Sequence, residues 1–456
     1  MTQELTTTEI KAKIRLFAWP ITLSMLVAQL YSVIDMAVIG RFLGANELAA
    51  VGNAANVIMV FLAISGGLEM AVEIIVSQLI GQKNQDSLAQ TTRTVLAFDG
   101  ICGIIVAILG IFCLPAVFHL ISVPDNLMRY ALIYGRIYLA GLFLIHVYDG
   151  GRAILTAAED TKKSFYLMLT TTVLNLILNL FFIVGLKLGV AGSAMGTVLA
   201  QFIGALLTLK LLEDKFHFSK CSGRIFNAKQ IKNVLHIALP TTFQQFVVTF
   251  GGVLIQSFVN PFGREVIIGY VAILRIMNFF RIVLVGLAQT LTVYGARLIS
   301  ARQFSGFKKV YRECSKIGLW YCALQAVVFV FFSKYIAAIF FDVSKHPKAL
   351  AFFSAYLLAF LFIQVASIFK FQNEGLLRAT VQMKKYLCCN VGELFLRIFL
   401  TFVLIRLSFF STNVFWIGEL LARFLMLLLS TYYLKKTTEG WKKEKKAVDN
   451  KLIFNS

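Results

Sequence analysis

Apolar stretches long enough to cross a bilayer, about 20 residues each, recur from end to end of this 456-residue chain and are divided by short polar breaks. Read by that pattern, spans fall near 16–42, 49–80, 92–120, 130–156, 164–186 and 190–212. A polar stretch from Glu213 to Asn233 interrupts them, and a second set follows near 234–260, 266–299, 311–341, 350–377, 386–409 and 413–434. The pattern predicts an all-α integral membrane protein of about 12 transmembrane helices. Its parts are an amino-terminal lobe (1–212), a connecting loop (213–233), a carboxy-terminal lobe (234–434) and a basic tail (435–456). Several runs exceed the length of a perpendicular crossing, so tilted or kinked helices are expected. No short apolar segment with a cleavage signature opens the chain, and no removable signal peptide is predicted.

Composition sharpens this. With 58% hydrophobic and 15% charged residues and a mean hydropathy of +0.77, the chain is neither a soluble enzyme nor a disordered polymer. The net charge of +21 carries meaning through its placement. Alternate loops hold 28 lysines and arginines on one side (Lys11, Lys13 and Arg15 through to Lys435–Lys451) against 7 on the other, so both termini and the connecting loop are predicted to be cytoplasmic. This topology suits a multi-pass protein of a bacterial inner membrane. The tail run WKKEKK reads as a lipid-headgroup contact rather than a nucleic-acid site. The seven cysteines (Cys102, Cys113, Cys221, Cys314, Cys322, Cys388 and Cys389) show no CxxC spacing and read as small packing residues. No DDxxD, HExxH or metal-ligand cluster is found, so neither an enzyme nor a cofactor is expected.

The chain also repeats itself. Pro20 in AWPITL returns as Pro240 in ALPTTF, 220 residues on, and Gly44 and Gly67 return as Gly263 and Gly286 at an offset of 219. Lys162–Lys163 and GTVLAQF (196–202) return as Lys384–Lys385 and GELLARF (418–424), both at 222. Two six-helix halves that each begin in the cytoplasm are parallel repeats about an axis along the membrane normal, an arrangement found in secondary transporters.

On these landmarks the sequence resembles the multidrug and toxin extrusion (MATE) transporters. The segments LYSVIDMAVIGRFLGANELAAVG (30–52), GLEMAVEIIVSQLIGQKN (67–84) and RAILTAAEDTKKSFYLMLTTTVLNLILNLFFIVGLKLGVAGSAMGTVLAQ (152–201) carry the likeness. GLAQTLTVYGARLISA (286–301) and EGLLRATVQMKK (374–385) extend it into the second half. The resemblance implies a V-shaped bundle of two six-helix lobes that exports solutes against inward movement of protons or sodium ions.

Ionisable groups inside spans cost about 2.5–3.5 kcal/mol on insertion scales and need a reason. Asp35 lies in the first span, on the helix that Pro20 can kink. A carboxyl group in low dielectric favours its neutral form, so it can carry a proton. Asn175 and Asn179 share one face of the fifth span. Proton-coupled prokaryotic MATE proteins carry an aspartate in the first helix and an N-x-x-x-D/N pair in the fifth, and Asp35, Asn175 and Asn179 occupy those positions. They are the candidate coupling-ion residues, with H+ as the expected ion and Na+ as the alternative. Tyr31 and Thr197 are placed beside them.

Glu69 and Glu73 share a face of the second span and are candidates for cargo or a proton, or for pairing with arginines. His146, Asp149 and Arg152 read as a surface salt-bridge group. The second half lacks the acids that sodium-coupled and eukaryotic members carry in the seventh and tenth helices. It offers Gln244, Gln245 and Thr249 in the seventh span and Ser367 in the tenth, with Glu374 at the helix end. It also carries Arg275, Arg281, Lys370, Arg397 and Arg423. Glu393 and Glu419 are the expected partners of Arg397 and Arg423, while Arg281 and Lys370 have no evident acid in their own helices. Gln244, Arg281 and Lys370 join Tyr31, Glu69, Glu73 and Thr197 as candidate cleft residues. Phe279, Phe280, Phe369 and Phe371 are candidates for an apolar lining.

The expected function is secondary active export of amphipathic small molecules, with Asp35 protonation and bending at Pro20 driving alternating access. Two alternatives use the same scaffold: an exporter of organic anions such as polycarboxylates or a siderophore, or a flippase of lipid-linked precursors. The expected partners are a small-molecule substrate and membrane lipids. Nucleic acid is excluded, and the expected state is a monomer.

Overall fold

The structure is a computed structural model describing residues 7–121, 123–220, 225–407 and 411–453. Cys221 and positions 222–224 of the connecting loop lie outside the described residues. So do the side chains of Lys11, Lys13 and Arg15 and those of the tail from Lys442 onward. The described backbone is helical, and 11 of its helices are long and apolar enough to cross a membrane, or 12 if one bent pair counts as a single span.

Contacts divide the chain into two compact units, Leu16–Phe243 and Met1–Arg15 with Gln244–Ser456. The division falls inside a continuous helix, α8 (Ala228–Val259), rather than in the polar stretch 213–233. The reason is local. The helix runs unbroken through Pro240, and its first turns already pack on the first unit: Gly67 lies against the Ala238 carbonyl and the Thr242 hydroxyl.

The first unit holds α1 (Thr7–Phe42) from Leu16 on, α2 (Ala45–Gly81), α3 (Gln85–Leu120), α4 (Asp125–Ala140), α5 (Leu142–Ala157), α6 (Thr161–Leu180) and α7 (Gly189–Phe216). Its core joins Ile39, Val51, Leu114, Phe118, Leu139 and Ala194. The second holds the remainder of α8 with α9 (Arg264–Ser300), α10 (Phe304–Ala338), α11 (Pro347–Ala379), α12 (Met383–Arg406) and α13 (Val414–Ile453). Its core is aromatic, with Tyr270, Phe329, Phe353, Tyr356, Phe360 and Phe415.

The repeat is visible in local geometry. α1 and α8 each carry an internal proline, and α2 and α9 each run 37 residues behind a glycine of positive φ, Gly44 (114°) and Gly263 (90°). A residue with a Cβ is strained at such an angle, so glycine turns the chain there in both halves. The fourth span departs from the continuous helix predicted for 130–156: α4 and α5 meet at Gly141 with a bend of 49°. The Val198 side chain fills the space a Cβ on Gly141 would need, so close packing of α7 holds the break. Its counterpart α11 is continuous. The fifth span ends in a π-turn, Phe181–Gly185.

Large apolar residues fill the cores and also cover the outside, while many polar side chains are turned inward. Phe112 (79%), Leu120 (83%) and Trp320 (79%) are among the most exposed side chains. Buried hydroxyls of Thr171, Thr208, Thr290 and Ser367 instead bond carbonyls one turn back on their own helices. This polarity is what a lipid solvent favours, since no water reaches the helix exteriors. The basic tail continues α13, and Trp441 stacks on Phe304 and packs edge-on to Phe307.

Candidate functional site

In the amino-terminal lobe, five of the predicted residues meet. Asp35 on α1 is buried, with 8% of its surface exposed, and its Oδ1 accepts hydrogen bonds from Asn179 Nδ2 (2.5 Å) and Ser193 Oγ (3.4 Å). Asn179 also donates to Asn175 Oδ1 (3.1 Å), and Asn175 donates to Thr197 Oγ1 (2.9 Å), which lies 3.3 Å from the Tyr31 hydroxyl. The four-residue spacing of Asn175 and Asn179 stacks both amides on one face of α6. Gly196 on α7 leaves room for the Asn179 carbonyl, and the π-turn begins two residues later. A cavity of about 210 Å³ opens beside this chain of bonds, lined by Tyr31, Asp35, Asn175 and Asn179 among apolar residues such as Leu30 and Leu176. Among the described residues, Asp35 has no ion pair and its partners are all neutral.

Pro20 sits on the same helix, and Ser24 Oγ donates to its carbonyl (2.8 Å). α1 is continuous through it.

Glu69 and Glu73 are not on this cavity. Glu69 accepts from Arg152 (2.5 Å), and Arg152 also lies 3.9 Å from Asp149, which accepts from Ser65 (3.1 Å). Glu73 is buried. His146 and its neighbours are therefore not a surface group. The ring is buried against Gly103, with Nδ1 at 3.0 Å from the Leu142 carbonyl, because α5 packs closely on α3 where glycine leaves space.

Sequence reasoning missed two residues here. Ser193 gives no signal, since serine is common in membrane helices. Asp99 on α3 is 1% exposed, both its oxygens lack hydrogen bonds, and it faces Gly150 near Asp149 and Glu69. The rule that drew attention to Asp35 also points to Asp99.

In the carboxy-terminal lobe, Gln244, Arg281 and Lys370 line one cavity of about 610 Å³. Here the expectations need correction. Lys370 does have an acid in its own helix, Glu374 one turn on (2.6 Å), and it also pairs with Glu393 (2.6 Å). Arg281 pairs with Glu419 (3.2 Å). Arg397 pairs with Glu419 (2.8 Å) and Arg423 with Glu393 (2.9 Å), each across to the other helix, and Arg423 also lies 3.9 Å from Glu419 one turn back on its own helix. Tyr356 donates to Glu419 (2.8 Å). The lobe is a mixed-charge network, not a set of lone cations. Gln244 accepts from the Tyr386 hydroxyl (3.2 Å). Of the four phenylalanines, Phe371 alone is on the cavity wall; Phe279 is exposed and Phe280 packs on Phe329.

Each lobe thus sets clusters of buried polar groups within an apolar helix bundle, and each holds its own cavity: the architecture of a multi-pass membrane transporter. The MatE family model matches twice, over residues 20–181 and 240–403, each segment starting at one of the paired prolines. The chain belongs to the MatE family of multidrug efflux transporters; it is a transporter, not an enzyme. Curated relatives include the probable multidrug resistance protein YpnP of Bacillus subtilis, 24% identical over 404 residues (89% of this chain, 88% of the relative). Another is the probable multidrug resistance protein YoeA of the same organism, 24% identical over 329 residues (70% of each). Among solved structures, a Vibrio cholerae MATE transporter superposes with a TM-score of 0.88 at 18% identity, over 95% of this chain and 98% of that one. A Pyrococcus furiosus transporter, described by reversed polarity of its binding pocket, superposes with a TM-score of 0.85 at 19% identity, over 95% of this chain and 97% of that one.

Proposed function

We propose that this protein is a secondary active exporter of amphipathic small molecules in a bacterial plasma membrane, acting as a monomer with both termini in the cytoplasm. Cargo leaves as protons enter, and Asp35 carries the proton. The observation that supports this most is the setting of Asp35: a buried carboxylate on a proline-containing helix, beside a cavity, with neutral hydrogen-bond partners and no cation paired to it. An acid clamped by an arginine holds its charge, whereas one held by amides and a hydroxyl is free to exchange it. In the other lobe Glu374, Glu393 and Glu419 are each paired to lysine or arginine, which favours H+ at Asp35 over Na+ at a carboxy-lobe site.

Protonation removes the charge that Asn179 and Ser193 bond. Weakening those bonds loosens α1 from α6 and α7 and lets it bend at Pro20, and the amino-lobe cavity closes as cargo is released. The proton drives the cycle because it binds the two arrangements unequally.

The test is transport into inverted membrane vesicles by the native chain and Asp35→Asn, under a proton gradient, a sodium gradient and an uncoupler. Proton-driven uptake that collapses with uncoupler and falls at least about tenfold in Asp35→Asn is expected. Uptake that follows sodium and survives the substitution overturns the reading.

A further inference from the structure

The carboxy-lobe cavity has a charge imbalance that pairing does not account for. Five cations line it: Arg281, Lys370, Arg378, Arg397 and Arg423. Three carboxylates answer them, Glu374 and Glu393 on the wall and Glu419 behind it. Arginine and lysine remain charged at physiological pH, so two positive charges are left over. Arg378 has no ion pair among the described residues; its guanidinium sits over the Tyr386 ring at 5.4 Å. The Nε groups of Arg281, Arg378, Arg397 and Arg423 and the Asn390 amide nitrogen are buried without hydrogen-bond partners. A network that served only to join helices would balance its charges, because an uncompensated buried cation is costly. A surplus of positive charge on the wall of a cavity is what an anion needs.

The rest of the wall sets the size and character of that anion. The volume of about 610 Å³ lies within the range of small-molecule sites, about 300–1,000 Å³. Val248, Leu274, Val285, Phe371 and Leu394 supply apolar surface between the charged groups. A bare inorganic ion would leave that surface wet, and a lipophilic cation would meet two like charges in a low-dielectric pocket.

We infer that this cavity is a binding site for amphipathic organic anions of small-molecule size, whose acid groups lie against Arg281, Arg378, Arg397 and Arg423. As an assignment of cargo this rests on the export reading above; as a binding site it stands on the cavity alone. It makes the transported molecules anionic or zwitterionic rather than purely cationic.

The experiment compares two dyes of one xanthene skeleton and opposite charge, fluorescein (a dianion in weakly alkaline buffer) and rhodamine 6G (a monocation). Fluorescence anisotropy reads their binding to the purified full-length protein in nanodiscs. Fluorescein binding at least about tenfold tighter is expected. Arg378→Gln, which strips no carboxylate of its partner, is expected to weaken fluorescein about tenfold without weakening rhodamine 6G. Arg281→Gln probes a second lining cation. Equal or tighter rhodamine 6G binding to the native protein overturns the inference. So does fluorescein binding that is unchanged in Arg378→Gln, whether or not Arg281→Gln folds. Asp35→Asn separates the two readings: lost transport with unchanged fluorescein binding supports both. If native vesicles show no proton-driven transport while fluorescein binding and its Arg378 dependence persist, the coupling reading falls and the site stands.

Discussion

The two lobes come from one repeated plan and have opposite chemistry. In the first, Asp35 keeps neutral company, Glu69 and Asp149 gather around Arg152, and Asp99 lies near those two acids. In the second, five cations face three carboxylates, and each of those carboxylates is held by at least one lysine or arginine. Acid without a counter-ion can exchange a proton as its surroundings change; cations in surplus hold a fixed field. The difference teaches that helix pattern alone does not assign a job to a lobe. What matters is whether a buried charge is matched.

The largest effect is expected where a matched charge is removed. Glu419→Gln removes a fully buried carboxylate from the partly buried Arg281 and Arg397, and loss of a partner from such a network costs about 3–5 kcal/mol. Thermal unfolding in one fixed detergent should register it as a clear fall in Tm. In the first lobe, Asn179→Ala removes a bond from a carboxylate that can shed its charge by taking up a proton, and the cost is smaller, about 1.5–3 kcal/mol at most for a hydrogen bond to a charged group. A Glu419→Gln protein as stable as the native one would erase the contrast.

A subtler break leaves every charge in place. Gly196→Ala puts a methyl group where the Asn179 carbonyl lies, which displaces that amide from Asp35. Proton-driven uptake is expected to fall about tenfold, equivalent to about 1.4 kcal/mol, with the protein still folded and monodisperse. Unchanged uptake would remove Asn179 from the account. The smallest effect belongs to Asp99→Asn. It relieves an unbonded carboxyl of its acidic neighbours, Asp149 and Glu69, so stability in the same detergent should rise by up to about 1 kcal/mol. A drop of several kcal/mol would mean that the ionised group is structurally required.

Much of the first lobe was legible in the sequence because its signals are local. Asn175 and Asn179 stand at helical spacing, and an acid in an apolar run is conspicuous. The Lys370–Glu374 pair was equally readable at four residues' separation and was overlooked. The crossed pairs Arg397–Glu419 and Arg423–Glu393 were not readable in that form, because α12 and α13 meet in a register that only packing decides. The break at Gly141 was hidden for a related reason. Glycine is ordinary in a membrane helix, and what marks this one is the Val198 side chain from α7, far away in sequence. Cavity volume and surplus charge likewise belong to the assembled lobe and to no single segment.

The paired prolines and the paired positive-φ glycines have a consequence for inheritance. Two separate six-helix chains forming a symmetric dimer would carry every substitution twice, so an arginine gained by one pocket would appear in both. Within a single chain, Gln244 and the arginines around it can change while Asp35 and its amides stay as they are. Covalent linkage of the halves is what makes their asymmetry heritable, and selection can then act on cargo and on driving ion one at a time.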